Sequence, residues 1–463
     1  MTCHAISRRG LLKWAGLTTL GAALAACAPS APAQPAAPAA EQPAGAAAEQ
    51  KKISWWNQYS TATVKEMIPK IVEQFQETYP GIVVEYELTG GPLGGGNYDE
   101  VLLSRIAGGN LPDSATLFSP PVPFAARGSL LAIDEMMAGA QWAKPDAFYE
   151  APLKSCQWQG KTYGLASSAG PGSMFFSVPL FEQKGISTKR EDFPKTWDDL
   201  KALSAEFVVW ENDELKQAGF MPWATSWLRP AWSGLNGGKL YDAANNRYEI
   251  ASEQNITWLD YMVKWLDDQY RGDIEKVNLY GNWEGTYPNS AFNLGRAAMA
   301  QEGSWGTTDA EIPFAWEVAK FPVGPSGTRS VTGFWPNWFV IPSGSPHAQE
   351  AFLFIEYFST KGWETWYLYI MDLPAWKAFP PEIVTQKLVD QVGPERAREI
   401  HQFYTAYLAD AIEMWTSPID SFASETMGTV MDEVMHKTKT PAEALQEAQQ
   451  LCQTKLEETL QGA

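Results

Sequence analysis

The chain has 463 residues, of which 54 are acidic and 35 basic, and its formal net charge is −19. A chain of this length exceeds what one hydrophobic core usually holds, so it predicts two lobes. Such an acidic chain lacks the basic footprint that nucleic-acid recognition requires, which excludes nucleic acid as a partner.

The first 26 residues have the pattern of an export signal. Arg8 and Arg9 precede a stretch from Trp14 to Ala26 that contains no charged residue. This stretch is shorter than the roughly 20 apolar residues of a membrane-spanning helix, and it fits the apolar region of a cleavable signal peptide. The paired arginines favour the twin-arginine route, and a general secretory signal is the alternative. Residues 1–26 are therefore predicted to be removed on export.

The signal ends at Leu24-Ala25-Ala26-Cys27, which resembles a bacterial lipobox. In a lipobox the cysteine is lipidated and becomes the new N-terminus, so Cys27 predicts an anchor at the outer face of the cell membrane or in the periplasm. The alternative is an ordinary signal peptide with a chance cysteine. Residues 28–50 are rich in Ala and Pro without an aromatic residue, and such a segment forms a semi-rigid tether rather than a folded domain.

The next part of the chain alternates strand and helix patterns. Apolar residues recur at helical spacing between Met67 and Phe75, and Pro80-Gly81 ends that helix. The order predicts a parallel sheet with helices on both faces, whose ligands lie beyond the carboxyl ends of the strands. The predicted strands are 53–56, 82–88 and 114–118, the helices are 64–79 and 98–107, and the strand-end candidates for ligand binding are Trp56, Gln58, Tyr59 and Ser119.

A glycine-rich loop, residues 90–96, follows the second predicted strand. It lacks the GxGxxG pattern, and no Lys-Ser/Thr pair follows it as a phosphate-binding loop would require. The loop is therefore interpreted as a flexible rim of a cleft.

Further elements follow in the same α/β manner. The small polar residues 167–173 suit a hinge, and Thr196 is a predicted helix N-cap with Asp199 three residues later. The remaining predicted elements are strands at 161–165, 297–301 and 339–342, helices opening at 194–200 and covering 252–270 and 347–358, an aromatic loop at 280–293, and a helical region from 394 onward.

The most unusual feature of the composition is its 21 tryptophans. Pyranose rings stack their C–H faces on indole and hydrogen-bond at their edges, so a tryptophan-lined cleft with polar groups favours a sugar ligand. A tryptophan-rich core is the alternative for each residue. The candidates in Gly, Pro, Asn and Ser surroundings are Trp223, Trp227, Trp232, Trp283, Trp305, Trp335 with Asn337, and Trp376.

No sequence motif indicates a metal, a cofactor or a catalytic group. The four histidines have no ligand spacing, and the chain contains no CxxC, GxSxG or HExxH pattern. Cys156 and Cys452 could pair or stay free, and a chain folded before export favours two buried thiols.

Several segments together resemble the extracellular solute-binding family 1, to which maltose-binding protein belongs. The similar segments, in chain order, are Ile71-Val72-Glu73-Gln74-Phe75 through Tyr79-Pro80-Gly81-Ile82-Val83-Val84, Ala107-Gly108-Gly109-Asn110-Leu111-Pro112-Asp113, Gly160-Lys161-Thr162-Tyr163-Gly164-Leu165, Leu180-Phe181-Glu182-Gln183-Lys184-Gly185 with Pro194-Lys195-Thr196-Trp197-Asp198-Asp199-Leu200, and Phe292-Asn293-Leu294-Gly295-Arg296-Ala297-Ala298-Met299 with Gly303-Ser304-Trp305.

The resemblance implies a monomeric, two-lobed α/β protein, each lobe a mostly parallel sheet flanked by helices, that binds a carbohydrate in the cleft and delivers it to the transmembrane subunits of an ABC importer. The implied first lobe is 51–169 plus 318–359, and the second is 170–317 plus 360–463. Trp305 matches the family's stacking tryptophan. Phe175-Phe176-Ser177 stands where relatives often carry Tyr-Tyr-Asn, so the sugar specificity of relatives does not carry over.

The sequence leaves three other interpretations open: an exported enzyme, a receptor for another solute, and a structural or adhesin lipoprotein, which should show no ligand-induced change. An exported glycoside hydrolase would also combine aromatic residues with a carboxylate pair. A receptor for a phosphorylated polyol or another non-sugar solute would need basic residues in the cleft, and only Arg229 lies near the aromatic candidates in the sequence.

Overall fold

The computed structural model describes residues 50–88, 98–412 and 417–462. The predicted signal peptide, Cys27, residues 28–49 of the tether and the glycine loop 90–96 lie outside the described residues. No helix in the described ranges combines the length and the apolar character that crossing a membrane requires.

Short strands, most of them two to six residues long, form the sheets. They are β1 Lys51–Trp56, β2 Ile82–Tyr86, β3 Ser114–Leu117, β4 Gln157–Trp158, β5 Lys161–Thr162, β6 Leu165–Ala166, β7 Gly170–Ser177, β8 Val209–Glu211, β9 Glu214–Gln217, β10 Tyr241–Asp242, β11 Arg247–Tyr248, β12 Met299–Gly303, β13 Trp316–Ala319, β14 Thr332–Trp335, β15 Trp338–Val340 and β16 Ala411–Ile412.

Helices cover both main sheets. They are α1 Ala62–Thr78, α2 Tyr98–Ala107, α3 Val122–Ala126, α4 Asp134–Ala138, α5 Glu150–Lys154, α6 Val178–Gln183, α7 Trp197–Ala205, α8 Arg229–Leu235, α9 Glu253–Tyr270, α10 Ile274–Leu279, α11 Ala348–Ser359, α12 Lys361–Tyr369, α13 Gln386–Val392, α14 Pro394–Tyr407, α15 Asp420–Met435 and α16 Pro441–Gly462.

The predicted helix boundaries agree closely with these elements. The hydroxyl of Thr196 caps α7 by accepting from the backbone N–H of Asp199 at 3.2 Å, and Ser252 caps α9 in the same way. The apolar face of α1, from Met67 to Phe75, is fully buried against the first sheet and α12. Local capping and helical periodicity were therefore sufficient to place these helices.

The first lobe is built on a five-stranded sheet with the order β2-β1-β3-β15-β6. β1 pairs parallel with β2 and β3, as the alternating pattern predicts. β15 pairs antiparallel with β3 and β6, because it enters this sheet from the other lobe. Only the β2-β1 and β1-β3 pairs are therefore parallel, and β15 is the one strand of this five-stranded sheet that runs in the opposite direction.

The second lobe is built around β7, whose eight residues are all buried. β12 lies on one side of β7, and β13 and β14 lie on the other, all antiparallel to it, while β16 adds a parallel pair at the edge. The prediction of a mostly parallel sheet is wrong for this lobe. The strands that flank β7 do not arrive through strand–helix–strand units, which are what make neighbouring strands parallel.

Three segments of the chain cross between the lobes and are hydrogen-bonded to one another. Residues 167–169 join β6 to β7, residues 336–337 join β14 to β15, and residues 371–375 follow α12. The backbone N–H of Ser167 donates to the carbonyl of Asn337 at 3.0 Å, and that of Ala169 donates to Leu373 at 2.7 Å. These crossing segments include the first part of the predicted hinge.

The sheet memberships differ from the predicted lobe boundaries in two segments. β14 and the second half of β13 lie within 318–359, which was expected in the first lobe, yet both strands pair with β7 in the second. α12 lies within 360–463, which was expected in the second lobe, yet Trp363 and Trp366 pack in the first-lobe core with α1. Strand and helix patterns carry no signal for which sheet a segment joins.

Much of the tryptophan content belongs to the core rather than to a cleft. Trp55 and Trp338 are fully buried, and each indole N–H has a partner: Trp55 donates to Thr116 at 2.9 Å and Trp338 to Ser155 at 2.8 Å. A buried indole needs such an acceptor, and each ring fills a large volume. Cys156 and Cys452 are also buried, and both are free thiols, as predicted.

Candidate functional site between the lobes

A cavity of about 330 Å³ opens between the two lobes, next to the crossing segments. Its wall combines residues from the loop between β1 and α1, from the loops around β12, and from α12 and the crossing segments. The volume is at the lower end of the range for ligand pockets, about 300–1,000 Å³. Because both lobes line it, a molecule held there would touch both.

A hydrogen-bond relay runs along the base of this cavity. The Tyr59 hydroxyl donates to Asn337 Oδ1 at 2.9 Å, and Asn337 Nδ2 donates to Asp372 Oδ2 at 3.0 Å. The backbone N–H of Asn337 donates in turn to Ser168 Oγ at 3.1 Å. The relay therefore ties the first lobe to all three crossing segments, at the place where the lobes would move relative to each other.

Three tryptophans of the second-lobe side, here called the tryptophan wall, line one face of the cavity: Trp227, Trp305 and Trp335. The ring centroids of Trp227 and Trp305 are 5.3 Å apart, and those of Trp227 and Trp335 are 5.6 Å apart with nearly perpendicular planes. All three are half-buried. Each ring therefore keeps part of its surface open to the cavity.

Glycines make room for the tryptophan wall. A Cβ at Gly303 would lie within 2.3 Å of the Trp305 ring, and one at Gly170 would lie within 2.8 Å of the same ring. The indole therefore rests directly on the backbone at the ends of β12 and β7, which only glycine permits.

The opposite face of the cavity, here called the packed wall, belongs to the first lobe and comprises Tyr59, Phe118 and Trp366. The Tyr59 ring lies 5.4 Å from Phe118 and 5.2 Å from Trp366, and Trp366 stacks on Trp363 at 4.6 Å. Tyr59 is 5% exposed and Trp366 is 3% exposed. Neighbouring rings fix both side chains.

Four carboxyl groups also line the cavity: Glu284, Glu302, Asp309 and Asp372. Burial raises the pKa of all four, and it raises the pKa of both Glu302 and Asp372 to about 8. At neutral pH Glu302 and Asp372 are therefore largely protonated, and each can donate as well as accept a hydrogen bond.

Some polar atoms in the cavity wall have no protein partner. Asp372 Oδ1, Asp309 Oδ1 and Trp366 Nε1 are buried, and none of them has a hydrogen-bond partner among the described residues. Buried polar atoms are rarely left in this state, and a ligand is one way to satisfy them. Two carboxyl oxygens and one indole N–H of the cavity wall are thus available for hydrogen bonds with a ligand.

Six of the residues predicted from the sequence come together in this cavity: Gln58, Tyr59, Trp227, Trp305, Trp335 and Asn337. They come from both lobes and from the crossing segment 336–337. Strand ends and Gly/Pro/Asn surroundings were therefore useful signals for these positions.

The other six predicted residues lie elsewhere. Trp232 is 1% exposed inside the second lobe and donates to Gln301 Oε1 at 2.7 Å, and Trp376 is 5% exposed in the first-lobe core. Trp223 packs on Tyr270, and the indole N–H of Trp283 donates to the Val277 carbonyl. Trp56 packs against the guanidinium of Arg105, and the Ser119 hydroxyl donates to the Asp99 carboxyl.

Local geometry explains why some of the predicted residues lie outside the cavity. Trp56 follows Trp55 in β1, and successive strand residues face opposite sides of the sheet, so its ring covers α2 instead of the cleft. Trp232 is on the inner face of α8.

Sequence reasoning missed the carboxyl groups, Phe118, Tyr287 and Trp366. Glu302 directly precedes Gly303 in the motif that contains Trp305, and that neighbourhood was an available signal. Asp372 had none, because it enters the cavity only where its crossing segment meets the other two.

Among the described residues, no cluster of three or more His, Cys, Asp or Glu side chains is placed to hold a metal ion. The cavity wall contains aromatic rings, amides, hydroxyls and carboxyls. These are groups that bind polyhydroxylated molecules by stacking and hydrogen bonds.

A two-lobed α/β fold with an aromatic cavity at the crossing segments defines a binding protein of the periplasmic type. The family model described as bacterial extracellular solute-binding protein matches residues 58–365. The chain belongs to this family.

Individual relatives are distant. The arabinooligosaccharide-binding protein of Bacillus subtilis (strain 168) is 25% identical over 230 residues, which is 50% of each chain. The chain thus spans about half the length of the curated relatives it matches.

Solved structures extend the likeness of the fold to most of the chain. CpMnBP1 with mannotriose bound has a TM-score of 0.73 at 20% identity, covering 87% of this chain and 100% of its own. The ABC substrate-binding protein Lmo0181 of Listeria monocytogenes, in complex with cycloalternan, has a TM-score of 0.72 at 20% identity, covering 88% and 99%. Both support the two-lobed fold.

Proposed function

We propose that the protein is the extracytoplasmic receptor of an ABC-type importer, and that it captures a carbohydrate between its lobes. The observation that carries this proposal is the cavity at the crossing segments, with the tryptophan wall on one side and the packed wall on the other. A sugar ring placed there would stack on indole while its hydroxyls meet Asp372, Asn337 and Gln58. The proteins it resembles are named as binding proteins rather than enzymes, and the proposed role is non-catalytic.

The chemistry of the cavity favours a ligand without negative charge. No lysine or arginine is among the described residues that line it, whereas four carboxyl groups are. A phosphorylated polyol would need basic partners there. The sugars in the names of the relatives, arabinooligosaccharide and mannotriose, are uncharged. This supports a carbohydrate over the phosphorylated alternative.

The chain length of the sugar follows from a second observation. Trp227 lines both this cavity and a second one of about 660 Å³ in the second lobe. A short saccharide fits the first cavity, and Trp227 is placed to support further sugar units that extend past it. An oligosaccharide is therefore part of the proposal.

The importer is expected to recognise the protein in its closed arrangement. A ligand that contacts both walls stabilises the closed arrangement, and the shift is limited by its differential affinity for the two states. The relay of Tyr59, Asn337 and Asp372 lies at the crossing segments, so closure and binding are expected to be coupled there.

A thermal-shift screen with neutral mono- and oligosaccharides tests the carbohydrate proposal. At a ligand concentration about 100 times the Kd, binding stabilises the folded state by about 2.7 kcal/mol, which raises the midpoint by a few degrees. Phosphorylated polyols are the matched comparison. A shift with these and with no neutral sugar contradicts the proposal, and the release of shorter glycans from the same panel would instead indicate a hydrolase.

Export and anchoring form a separate part of the proposal, which rests on the residues around Cys27. Labelling cells with a fatty-acid analogue should mark the parent chain and leave Cys27→Ala unlabelled. Labelling of the variant would contradict the anchor. Co-purification of the anchored chain with transmembrane permease subunits tests delivery to an importer, and size-exclusion chromatography tests the expected monomer.

A further inference from the structure

The cavity carries more acidic groups than a neutral sugar requires. Glu284, Glu302, Asp309 and Asp372 line it together, and none of the described lining residues is basic. In a partly desolvated site, charges interact more strongly than at the surface. A ligand that favours ionisation of these carboxyls would therefore interact with them more strongly than a neutral ligand would.

Nearby basic side chains compensate only part of this acidity. Arg229 faces Glu284, and Lys387 faces Asp309 while it also pairs with Glu311 at 3.1 Å. Glu302 accepts a hydrogen bond from the backbone N–H of Gly303 at 2.8 Å. The charged groups that act on its pKa are the carboxyls of Glu284 and Asp309, and both raise it. No basic side chain in the described ranges contacts Glu302 or Asp372.

Asp372 is the group whose state points to a ligand. It is 2% exposed, it lines the cavity, and its Oδ2 is held by Asn337. The hydroxyl of Ser168 lowers the pKa of Asp372, and those of Thr61 and Thr63 lower the pKa of Asp309, yet Asp372 Oδ1 and Asp309 Oδ1 make no hydrogen bond of normal geometry with the described residues. In its ionised form a carboxyl oxygen only accepts, and a positively charged donor forms the strongest hydrogen bond with it.

We propose that the cavity prefers a sugar carrying a basic amine, with the ammonium group bound at Asp372 in the cavity that Glu302 also lines. An ammonium group has three donors and no acceptor, which matches the unsatisfied carboxyl oxygens. Burial keeps Asp372 and Glu302 largely protonated in the empty site, and a bound ammonium favours their ionised forms. This inference rests on the proposed carbohydrate-binding function and specifies its ligand class.

Matched sugars that differ only in the substituent at C2 of each ring test the inference. Isothermal titration of the full chain at pH 7 would compare glucose with glucosamine, mannose with mannosamine, and cellobiose with the disaccharide of glucosamine. The N-acetylated disaccharide has the same linkage without the charge. In every pair that binds, the amine should bind about tenfold more tightly, and the N-acetylated sugar should behave like the neutral one.

Two carboxyl-to-amide variants, one inside the cavity and one outside it, locate the effect. Asp372→Asn should remove the tenfold preference, while Glu364→Gln should retain it, because Glu364 lies on the neighbouring helix and pairs with Lys361 outside the cavity. Circular dichroism establishes that each variant is folded. If Asp372→Asn does not fold, Glu302→Gln provides the same comparison.

The outcomes separate this inference from the proposed function. Amines that bind no more tightly than their neutral partners overturn the inference and leave carbohydrate binding intact. A preference for the amine that persists in both Asp372→Asn and Glu302→Gln also overturns the inference. Failure of every neutral and aminated sugar, with binding of a phosphorylated polyol, overturns both.

Discussion

The two walls of the cavity are both aromatic, yet the structure holds them in different ways. Tyr59 and Trp366 of the packed wall are 5% and 3% exposed and are enclosed by other rings. Trp305 of the tryptophan wall is half-buried and rests on glycine backbone at Gly303 and Gly170. The comparison indicates that the packed wall is preorganised by its core, whereas the tryptophan wall offers open ring faces.

The largest expected effect comes from removing an open ring. Trp305→Ala should weaken sugar binding by at least about 30-fold, corresponding to about 2 kcal/mol, because aromatic anchors dominate binding energy. The fold should persist, since the ring is half-buried. Titration calorimetry measures the affinity. Trp56→Ala is the matched control, because Trp56 packs against Arg105 outside the cavity; unchanged binding by Trp305→Ala would contradict the role of the wall.

A smaller effect is expected from moving the same ring without deleting it. In Gly303→Ala the added methyl group would lie within 2.3 Å of the Trp305 indole, so the ring must shift. Affinity for the sugar should fall about tenfold, as measured by the same titration. Gly81→Ala is the control, since a Cβ there meets nothing within 4 Å. Equal affinities of the two variants would show that the ring position does not matter.

A substitution in the packed wall should change mainly the free energy of unfolding. Tyr59→Phe keeps the buried ring but leaves Asn337 Oδ1 without its donor, which should cost about 1–3 kcal/mol of unfolding free energy. Sugar affinity should change by only a few-fold. Chemical denaturation measures the first quantity and calorimetry the second. A large loss of affinity with unchanged stability would reverse the contrast between the walls.

A further prediction concerns the pH dependence of stability. The folded pKa of Glu302 is raised to about 8, whereas an unfolded glutamate titrates near 4.3. Between these values the folded state binds more protons, so this residue makes stability fall as pH rises towards 8. Glu302→Gln should therefore gain stability relative to the parent between pH 5 and pH 8 in thermal unfolding. A difference that stays constant over this range would contradict the burial of a protonated carboxyl.

The sequence alone predicted the local elements well, because their causes are local. Thr196 caps α7 and the apolar face of α1 lies in the core. The family resemblance also predicted the two-lobed fold correctly. The departure at Phe175 and Phe176 is now explained without reference to the ligand, since both rings are fully buried in β7.

The site could be predicted only in part. Trp305 and Asn337 were predicted because each follows a strand end in a turn-like sequence, and both line the cavity. Trp232 and Trp376 have similar surroundings in the sequence but are buried in the core. Periodicity distinguishes an inner helix face from an outer one, and it cannot tell a core position from a cleft position when both are shielded from bulk water.

The amino-acid sequence by itself determined where helices begin and end, the two-lobed α/β class and the aromatic character of the cavity, because caps, periodicity and composition act over short distances. Tertiary structure alone decided the antiparallel partners of β7, the lobe to which α12 belongs and the position of Asp372 at the cavity. Each of these features depends on contacts between segments that are far apart in the chain. Their contacts arise from packing and long-range hydrogen bonds, for which no local pattern exists.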